Sequence, residues 1–587
     1  MLKNLISVLC TFLFLVFMVS CGENETKVTQ NGDETAGEQD AASDNDASEV
    51  PDDIETDTDP AEETDDGETG EEQENPDENN EEPVQETTIT VEPTPDFETK
   101  TEALIVTTEE FKEVFQKFAD FHTVTGIITK VVTIEDICAH AVCDDSNTMK
   151  DTQKAIKDYV MSVEGLRYLV LGGDIEIVPS REVYDEFEIS MIADYEDHFY
   201  SDLYYADFSE WDSNGNGKYA EDDGGILSSD NDNPVLIANV AIGRISVSTV
   251  DEAELYFEKI VKHHTAFNTA HTKKSLLLAN IATEISSVKI NAGYYFESAG
   301  KTASLIPQDY ALKKLYTQST PYPGNGTAQP LDNDSEKAAI EEGMNLIVHS
   351  GHGGQRYLTC EQANDDNDFT DTMAYELENE TLPFFLSCAC EAGQFAYKYG
   401  DSAGEKLMNA PKGGAIVYLG NTTTGLGIAG GSQFIDEMLK NMFAFPYSVI
   451  GESYLYAHAT MPQNDTFNPT VINVNVPVVT PDSWQWTKKS IVMLGDPMTV
   501  FWRDSFEPFT AEIVPEVEEN EDGKTVSFNF PPALKGVMLR VYADGKLYEI
   551  PSVMHETVKI NLDSAVETIT VGIKAENSQF FFKELEI

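Results

Sequence analysis

Two short segments of the chain carry histidine and cysteine in a setting that suits catalysis. One is His349–Gly354, with His352 between glycines, and the other is Cys388–Gly393, which contains Cys390. A thiol of ordinary pKa is mostly protonated at neutral pH, and a nearby imidazole can convert it into a thiolate nucleophile. The glycines let the backbone approach a substrate carbonyl, so the N–H groups of Gly353 and Cys390 could stabilise an oxyanion. The two segments therefore predict nucleophilic catalysis.

Each segment follows a predicted strand, Met344–Val348 in one case and Pro383–Ser387 in the other. Between residues 101 and 505, short apolar runs of this kind alternate with segments of helical periodicity. This pattern predicts an α/β fold with a mostly parallel sheet covered by helices on both faces. In such folds the chemistry lies beyond the carboxyl ends of the strands. If the two strands are neighbours, the imidazole and the thiol meet in one crevice.

The pattern changes near residue 506, after which six short strands follow with Asp544-Gly545 as a hairpin turn. We interpret residues 506–587 as a β-sandwich of the immunoglobulin type, which could bind a partner or serve as a passive scaffold. The α/β region is divided into an N-terminal subdomain, 101–265, and a catalytic subdomain, 266–505.

The N-terminal hundred residues predict export and a disordered stalk. Met1–Ser20 has an early lysine and an apolar run, as a signal peptide does. Met18–Cys21 resembles a bacterial lipobox, which implies lipidation of Cys21 and a membrane anchor; the alternative is a plain secretory signal. The linker 21–100 has 30 acidic residues and one basic residue between Gly22 and Thr99, and repels itself. The net charge of −68 excludes nucleic acid as a partner recognised by charge.

Several motifs resemble one family. A strand ending in His-Gly and a second ending in Ala-Cys-Glu-x-Gly are similar to the caspase-like clan of cysteine peptidases, and within it to the gingipain family. The stretches similar to that family are Tyr168–Asp174, Ile177–Arg181, Ser201–Ala206, Ala241–Ile245, Ser350–Gly353 and Leu494–Pro497. They span roughly residues 103–505. The resemblance implies a caspase-like domain that acts on protein or peptide substrates in a bacterial cell envelope.

The resemblance also assigns roles to individual residues. It makes Cys390 the nucleophile and His352 the general base and acid, and Asp202 is similar to the acidic residue that orients the histidine. Cys388 is the rival nucleophile, and His349 is expected to be a packed strand residue. A further alternative joins both histidines and both cysteines in a zinc site.

The cysteine count is consistent with a free nucleophile. Without Cys10 in the signal and Cys21 at the anchor, five remain, so at least one stays unpaired in the absence of an intermolecular bond. We expect Cys138 to pair with Cys143, and Cys360 with Cys388, which leaves Cys390 free.

The segment 212–223 resembles a calcium loop. Asp212, Asn214, Asn216 and Asp223 supply oxygen atoms at positions one, three, five and twelve, Lys218 supplies its backbone carbonyl, and glycine occupies position six. We expect a structural calcium ion here; the alternative is a surface turn without metal.

Substrate choice is less well defined. The best-known members of the resembled family cut after Arg or Lys, and Asp482, near Trp484 and Trp486, is a candidate for an acidic pocket. Related proteins act as sortase-like transpeptidases, which share the thioester intermediate. The alternative outside enzymes is a calcium-binding surface adhesin that keeps the peptidase fold.

Overall fold

The computed structural model describes residues 88–587 except for the segments 144–149, 190–192, 222–230, 286–287, 321–326, 361–366, 445–446, 463–469, 472–473, 476–482, 504–505, 522 and 576–577. The predicted signal peptide, Cys21 and most of the acidic linker lie outside the described residues. Among the residues described, no helix has the length and apolar character needed to cross a membrane.

The first part of the described chain alternates strands and helices. Its elements are β1 (Thr88–Val91), β2 (Ala103–Thr107), α1 (Lys112–Thr125), β3 (Thr129–Thr133), α2 (Ile134–Cys138), α3 (Lys150–Ser162), β4 (Tyr168–Gly172), β5 (Arg181–Ile189), β6 (Ala193–Ser201), α4 (Leu203–Ala206), β7 (Ala241–Ile245) and α5 (Val250–Thr265).

The second part continues the alternation. Its elements are β8 (Lys274–Ala279), β9 (Ile281–Ile285), β10 (Val288–Asn291), α6 (Gly293–Phe296), α7 (Thr302–Leu305), β11 (Ala311–Tyr316), β12 (Gln329–Pro330), α8 (Asn333–Glu341), β13 (Leu346–Ser350), β14 (Gly353–Gly354), β15 (Tyr357–Leu358), β16 (Phe369–Thr370), α9 (Asp371–Tyr375), β17 (Phe384–Ser387), α10 (Ala403–Met408), β18 (Val417–Asn421), α11 (Gly431–Met442), β19 (Tyr447–Val449), α12 (Ile450–Thr460), β20 (Thr470–Val471), β21 (Val474–Asn475), α13 (Ser483–Ser490), β22 (Ile491–Gly495) and β23 (Val500–Trp502).

The last part consists of strands. They are β24 (Glu516–Asn520), β25 (Gly523–Asn529), β26 (Met538–Ala543), β27 (Lys546–Ile550), β28 (Thr557–Leu562), β29 (Thr568–Lys574) and β30 (Phe580–Glu586).

The α/β region is built on one sheet of eleven strands, in the order β12-β11-β8-β13-β17-β18-β22-β7-β4-β2-β3. Nine of its ten neighbouring pairs are parallel, and the exception is the antiparallel pair β18 and β22. Strands such as β4 and β13 are buried along their whole length, because helices and loops enclose them in one apolar core. The predicted mostly parallel α/β sheet is therefore confirmed.

The antiparallel pair of β18 and β22 lies where the strands of the second part of the chain meet those of the first part. β22 comes late in the chain but runs parallel to β7 of the N-terminal part. The carboxyl ends of β13, β17 and β18 lie at one edge of the sheet. Ser246, which follows β7, reaches the segments beyond this edge, because its Oγ lies 2.7 Å from Oε1 of Glu405. The segments that follow β13 and β17 thus meet at one edge of the sheet.

The strands after residue 515 form a two-layer sandwich, as predicted. One sheet has the order β1-β28-β25-β24 and the other β27-β26-β29-β30, and side chains of both share a core. The sandwich packs on α1: the Arg540 guanidinium donates to the Thr123 carbonyl at 2.9 Å, and the Phe582 ring lies 5.0 Å from that of Phe121. Its immunoglobulin type stays a prediction.

Residues 88–100 of the predicted linker, 21–100, have contacts with the folded part of the chain. Thr88–Val91 forms β1, which pairs in parallel with β28 at the edge of the sandwich. Phe97 is buried beside Ile128 and Leu547. These residues of the predicted linker therefore pack with the folded part, because a short β-branched run inside the acidic stretch pairs with a strand far away in the sequence.

This edge strand predicts different stabilities for two truncated chains. A chain starting at Thr87 should unfold at the same urea concentration as the full chain, because it keeps β1 and Phe97. A chain starting at Thr101 loses both and should be less stable by roughly 2 kcal/mol or more, the worth of one buried aromatic side chain. Equal midpoints for the two chains would contradict this assignment.

Candidate active site

The two predicted catalytic segments leave neighbouring strands. β13 and β17 are parallel, with His349 opposite Ser387. The Cys388 N–H donates to the His349 carbonyl at 3.3 Å. A Cβ added to Gly353 would lie 2.9 Å from the Ala389 Cβ and 3.4 Å from the Cys390 carbonyl oxygen, so only glycine allows this close approach. The segments that carry His352 and Cys390 therefore lie side by side.

Asn280 holds the loop that carries His352. Its Oδ1 accepts a hydrogen bond from the His352 N–H at 3.3 Å, and its Nδ2 donates to the Thr359 carbonyl. The Thr359 N–H donates to the His352 carbonyl at 3.1 Å, which closes the loop. Sequence reasoning missed Asn280, although it directly follows β8, the other neighbour of β13.

The two histidines differ in their surroundings. His352 is half-buried, and burial lowers the pKa of its imidazole, so the ring is neutral at neutral pH and can take a proton. His349 is fully buried, with its Nδ1 2.9 Å from the Ser387 Oγ. Burial, with a smaller contribution from His352, lowers the pKa of His349 to about 3. His349 is the packed strand residue that the sequence predicts.

Cys390 sits where the chain turns sharply. Its thiol lies 3.7 Å from the Gly425 carbonyl, and the next residue, Glu391, has a φ of +55°. A left-handed conformation is unfavourable for a side chain other than glycine, and such residues cluster at functional sites. The turn is held because the Glu391 N–H donates to the Thr423 carbonyl at 2.8 Å.

Cys388, the rival nucleophile, is enclosed by the core. Its sulfur lies 3.4 Å from the Ser350 Oγ and 3.5 Å from the Ser432 Oγ. Burial raises the pKa of this thiol, which disfavours the thiolate. Cys388 therefore serves as a small buried side chain beneath the site.

The predicted cysteine pairing is correct in part. Cys138 and Cys143 form a disulfide, but Cys360 and Cys388 are both free and buried, so their expected pairing was wrong. The Cys360 sulfur instead lies 3.5 Å from a carboxylate oxygen of Glu336. Cys390 forms no disulfide in the described part of the chain, as expected.

The geometry does not support the zinc alternative. Within the part of the chain that the structure describes, no three or more His, Cys, Asp and Glu side chains are grouped so that they could hold a metal ion.

Asp202 lies in a buried ion pair rather than against the catalytic histidine. Its two carboxylate oxygens accept hydrogen bonds from Nε and Nη2 of Arg244, each at 2.8 Å. Arg244 is fully buried and also donates to the carbonyls of Gly173 and Val178, so it needs a counter-charge at this place. In the part of the chain that the structure describes, no hydrogen bond joins Asp202 to His352, and the orienting role of Asp202 stays a prediction.

The residues that carry the predicted oxyanion donors lie close together. Gly353 forms part of β14, opposite Leu358 of β15, and its Cα lies close to the Cys390 backbone. The use of the Gly353 and Cys390 N–H groups to bind an oxyanion stays a prediction.

In the predicted calcium loop, backbone N–H groups donate hydrogen bonds to side-chain oxygen atoms of the same loop. The Asp212 carboxylate accepts from the Gly217 N–H at 3.2 Å, the Asn214 Oδ1 from Asn216 at 2.8 Å, and the Asn216 Oδ1 from Lys218 at 2.8 Å. Three of the predicted ligand oxygens thus accept backbone N–H groups within the seven residues 212–218. Hard oxygen donors on such a turn fit calcium.

Two of the predicted site residues cannot be placed. Asp223, the predicted twelfth-position ligand, lies outside the described residues, as does Asp482 of the predicted acidic pocket. The loop is anchored by Asp232, whose Oδ1 accepts from the Ser213 N–H at 2.8 Å and whose Oδ2 accepts from the Glu221 N–H at 3.1 Å. Near the nucleophile, the Trp486 indole donates to the Thr424 carbonyl at 2.7 Å.

Comparison with known proteins identifies the family. The profile of peptidase family C25 matches residues 97–502. The chain therefore belongs to peptidase family C25, the gingipain family of cysteine peptidases. A comparison with curated proteins gave no significant match.

Three solved structures show the same fold. The chain is similar to the Arg-specific cysteine proteinase gingipain R, with 17% identity and a TM-score of 0.53 over 84% of this chain and 99% of that one. The complex of Porphyromonas gingivalis RgpB pro- and mature domains gives 17% identity and a TM-score of 0.53, covering 83% and 99%. A structure described as a protease gives 13% identity and a TM-score of 0.50, covering 83% and 97%.

The buried pair of Asp202 and Arg244 makes a prediction that separates stability from catalysis. Asp202→Asn removes the counter-charge of a buried guanidinium and should lower the free energy of unfolding by roughly 3 kcal/mol in urea. Asp158→Asn, which removes an exposed partner of Lys154, is the matched control and should change it by less than about 0.5 kcal/mol. Unchanged stability with a large loss of kcat would instead favour an orienting role for Asp202.

Proposed function

We propose that this protein is an extracytoplasmic cysteine endopeptidase that hydrolyses peptide bonds through Cys390 and His352. The observation that carries the proposal is that the two segments leave adjacent parallel strands and lie in contact, in a chain of family C25. The lowered pKa of His352 suits a base that must be neutral before it accepts a proton.

The proposed reaction has two halves. His352 takes the proton of the Cys390 thiol, and the sulfur attacks the substrate carbonyl carbon to form a tetrahedral intermediate. The N–H groups of Gly353 and Cys390 bind its oxyanion. As the C–N bond breaks, the imidazolium gives its proton to the leaving amine, and a thioester remains. His352 then removes a proton from water, whose oxygen attacks the thioester, and the thiol and a carboxylic acid are formed.

We further propose cleavage after Arg or Lys and attachment to the bacterial envelope. One of the similar structures is described as Arg-specific, and the resemblance of Met18–Cys21 to a lipobox supports a lipid anchor on Cys21. The linker between the anchor and Thr88 is strongly acidic, so its charges favour an extended stalk.

The proposed nucleophile can be tested by covalent labelling. A peptidyl acyloxymethyl ketone that ends in Arg or Lys should label the wild-type protein at Cys390, as read by mass spectrometry of the intact chain. Cys390→Ala should give no labelling, and His352→Ala should label at least about 100-fold more slowly because the general base is lost. A peptide library should give cleavage after Arg or Lys in the wild type only.

Cys388→Ser is the matched control for this test, because it replaces a cysteine two positions from Cys390 and its new hydroxyl would lie among the hydroxyl groups of Ser350 and Ser432. It should keep labelling and cleavage. Labelling that persists in Cys390→Ala, or its absence in the wild type, would refute the proposed mechanism.

We also propose that calcium holds the loop that begins at Asp212. Asp212, Asn214, Asn216, the Lys218 carbonyl and Asp223 would supply the oxygen ligands, and the role would be structural. The curled geometry of the described part of the loop supports this set.

Removal of calcium tests this proposal. Addition of calcium to EDTA-treated protein should raise the free energy of unfolding by on the order of 1–3 kcal/mol at saturating calcium. Asp212→Asn should abolish the response. Asp563→Asn, at an exposed carboxylate that also accepts from a backbone N–H two residues on, should keep it. An identical melting temperature with and without calcium would exclude the ion.

A further inference from the structure

One short helix is bonded to both catalytic loops. The Ala403 N–H, in the first turn of α10, donates to the Gln355 carbonyl at 2.7 Å, and the Gly404 N–H donates to the Ala392 carbonyl at 2.8 Å. Gln355 follows His352 by three residues, and Ala392 follows Cys390 by two. The N–H groups at the start of a helix have no partner within the helix, so they are free to hold other backbone groups. The position of α10 therefore fixes both loops.

The start of α10 is fixed in turn by a buried carboxyl group. Ser402 and Glu405 form a capping box, in which Glu405 Oε2 accepts from the Ser402 N–H at 2.7 Å and from the Ser402 Oγ at 2.9 Å. The other oxygen, Oε1, lies 2.7 Å from the Ser246 Oγ. Ser246 follows β7 and also lies 3.1 Å from Oδ1 of Asp174, which follows β4. A single hydroxyl group thus connects two carboxyl groups from different parts of the fold.

The Ser246 hydroxyl group cannot donate a hydrogen bond to both carboxyl groups at once. Ser246 has one hydroxyl hydrogen and can donate it to only one of the two carboxyl groups. The other contact is a hydrogen bond only if that carboxyl group is itself protonated. Both carboxyl groups also accept from a backbone N–H, Asp174 from Ile175 and Glu405 from Ser402, each at 2.7 Å. Glu405 is fully buried whereas Asp174 is half-buried, so burial disfavours the charged form of Glu405 more strongly. Glu405 is therefore the protonated member, which donates to Ser246 while Ser246 donates to Asp174.

The electrostatic surroundings also favour a protonated Glu405 and a charged Asp174. Burial, with the charge of Asp174, raises the pKa of Glu405 to about 8. Burial also raises the pKa of Asp174, against the opposing effects of the Ile175 N–H and of Arg244. The other charged groups that face the pair are Glu176, beside Asp174, and Asp401, which precedes α10.

We propose that Asp174, Ser246 and Glu405 share one proton and act as positioning residues for the reaction of Cys390 and His352. The proposal rests on the proposed peptidase function. When the shared proton leaves at alkaline pH, two carboxylates face each other across one hydroxyl group, and their repulsion displaces the start of α10. Both catalytic loops then lose a backbone hydrogen bond, although no group that touches substrate has changed its charge.

Glu405→Gln tests the shared proton without any need for activity. The amide keeps an acceptor for Ser402 and a donor for Ser246, but it does not titrate. A carboxyl group whose pKa is raised from 4.5 to about 8 by folding contributes stability that is complete below pH 4.5 and is lost as the pH rises through 8. The melting temperature of Glu405→Gln, relative to that of the wild type, should therefore rise steadily from pH 5 to pH 9.

Glu252→Gln is the matched control, because Glu252 holds the same place in the capping box that starts α5 and does not contact Ser246. Its melting temperature should follow the pH dependence of the wild type. A Glu405→Gln curve that is parallel to the wild-type curve over this range would overturn the shared proton.

Ser246→Ala tests the positioning role. Loss of the bridging hydroxyl should lower kcat by about 10- to 100-fold with KM little changed, because a small misplacement of reacting groups has this effect on rate. Ser248→Ala, which removes a hydroxyl that touches Asp174 but not Glu405, should keep the wild-type kcat. The fall of kcat between pH 7 and 9 should also be shallower in Glu405→Gln than in the wild type.

Equal kcat values for Ser246→Ala and the wild type, or an unaltered alkaline fall in Glu405→Gln, would overturn the positioning role. A wild-type protein that cleaves no peptide and takes no acyloxymethyl ketone label would instead overturn the proposed function. The melting curves decide on the shared proton in either case, so the two failures are distinguishable.

Discussion

The side-by-side pairing of β13 and β17 is the constraint on which the candidate site depends. Two parallel neighbours end at the same edge of a sheet, so the residues that follow them are brought together without any long-range loop. The pairing also explains the glycines, because backbones this close leave no room for a Cβ at Gly353. The remaining contacts, from Asn280, α10 and the turn at Glu391, refine an arrangement that the sheet already imposes.

The features that sequence reasoning predicted are local ones. Apolar runs, their alternation with helical periodicity and the residues at their ends indicate an α/β sheet with a histidine and a cysteine at its edge, and all of these are present. The disulfide of Cys138 and Cys143 belongs to the same class, because its two cysteines are only five positions apart. Such features follow from the chemistry of neighbouring residues.

The features that it could not predict depend on residues far apart in the chain. The direction of β22 relative to β18 leaves no trace in hydrophobic periodicity, so the antiparallel pair was not foreseen. Asp202 and Arg244 lie in two separate motifs, and only the folded chain shows that their charges neutralise each other. Cys360 was assigned a partner by counting, whereas a disulfide requires that two Cβ atoms lie close together and face each other.

The attachment of β1 to the sandwich has a mechanical consequence. The acidic segment joins the fold at a strand that lies along β28, at the outer edge of one sandwich sheet. Tension applied to the N-terminus would first load these inter-strand hydrogen bonds in shear, together with the packing of Phe97. The eleven-stranded sheet would carry that force only after the edge strand had peeled away. Force on the proposed tether would therefore reach the sandwich before it reached the segments that carry Cys390 and His352.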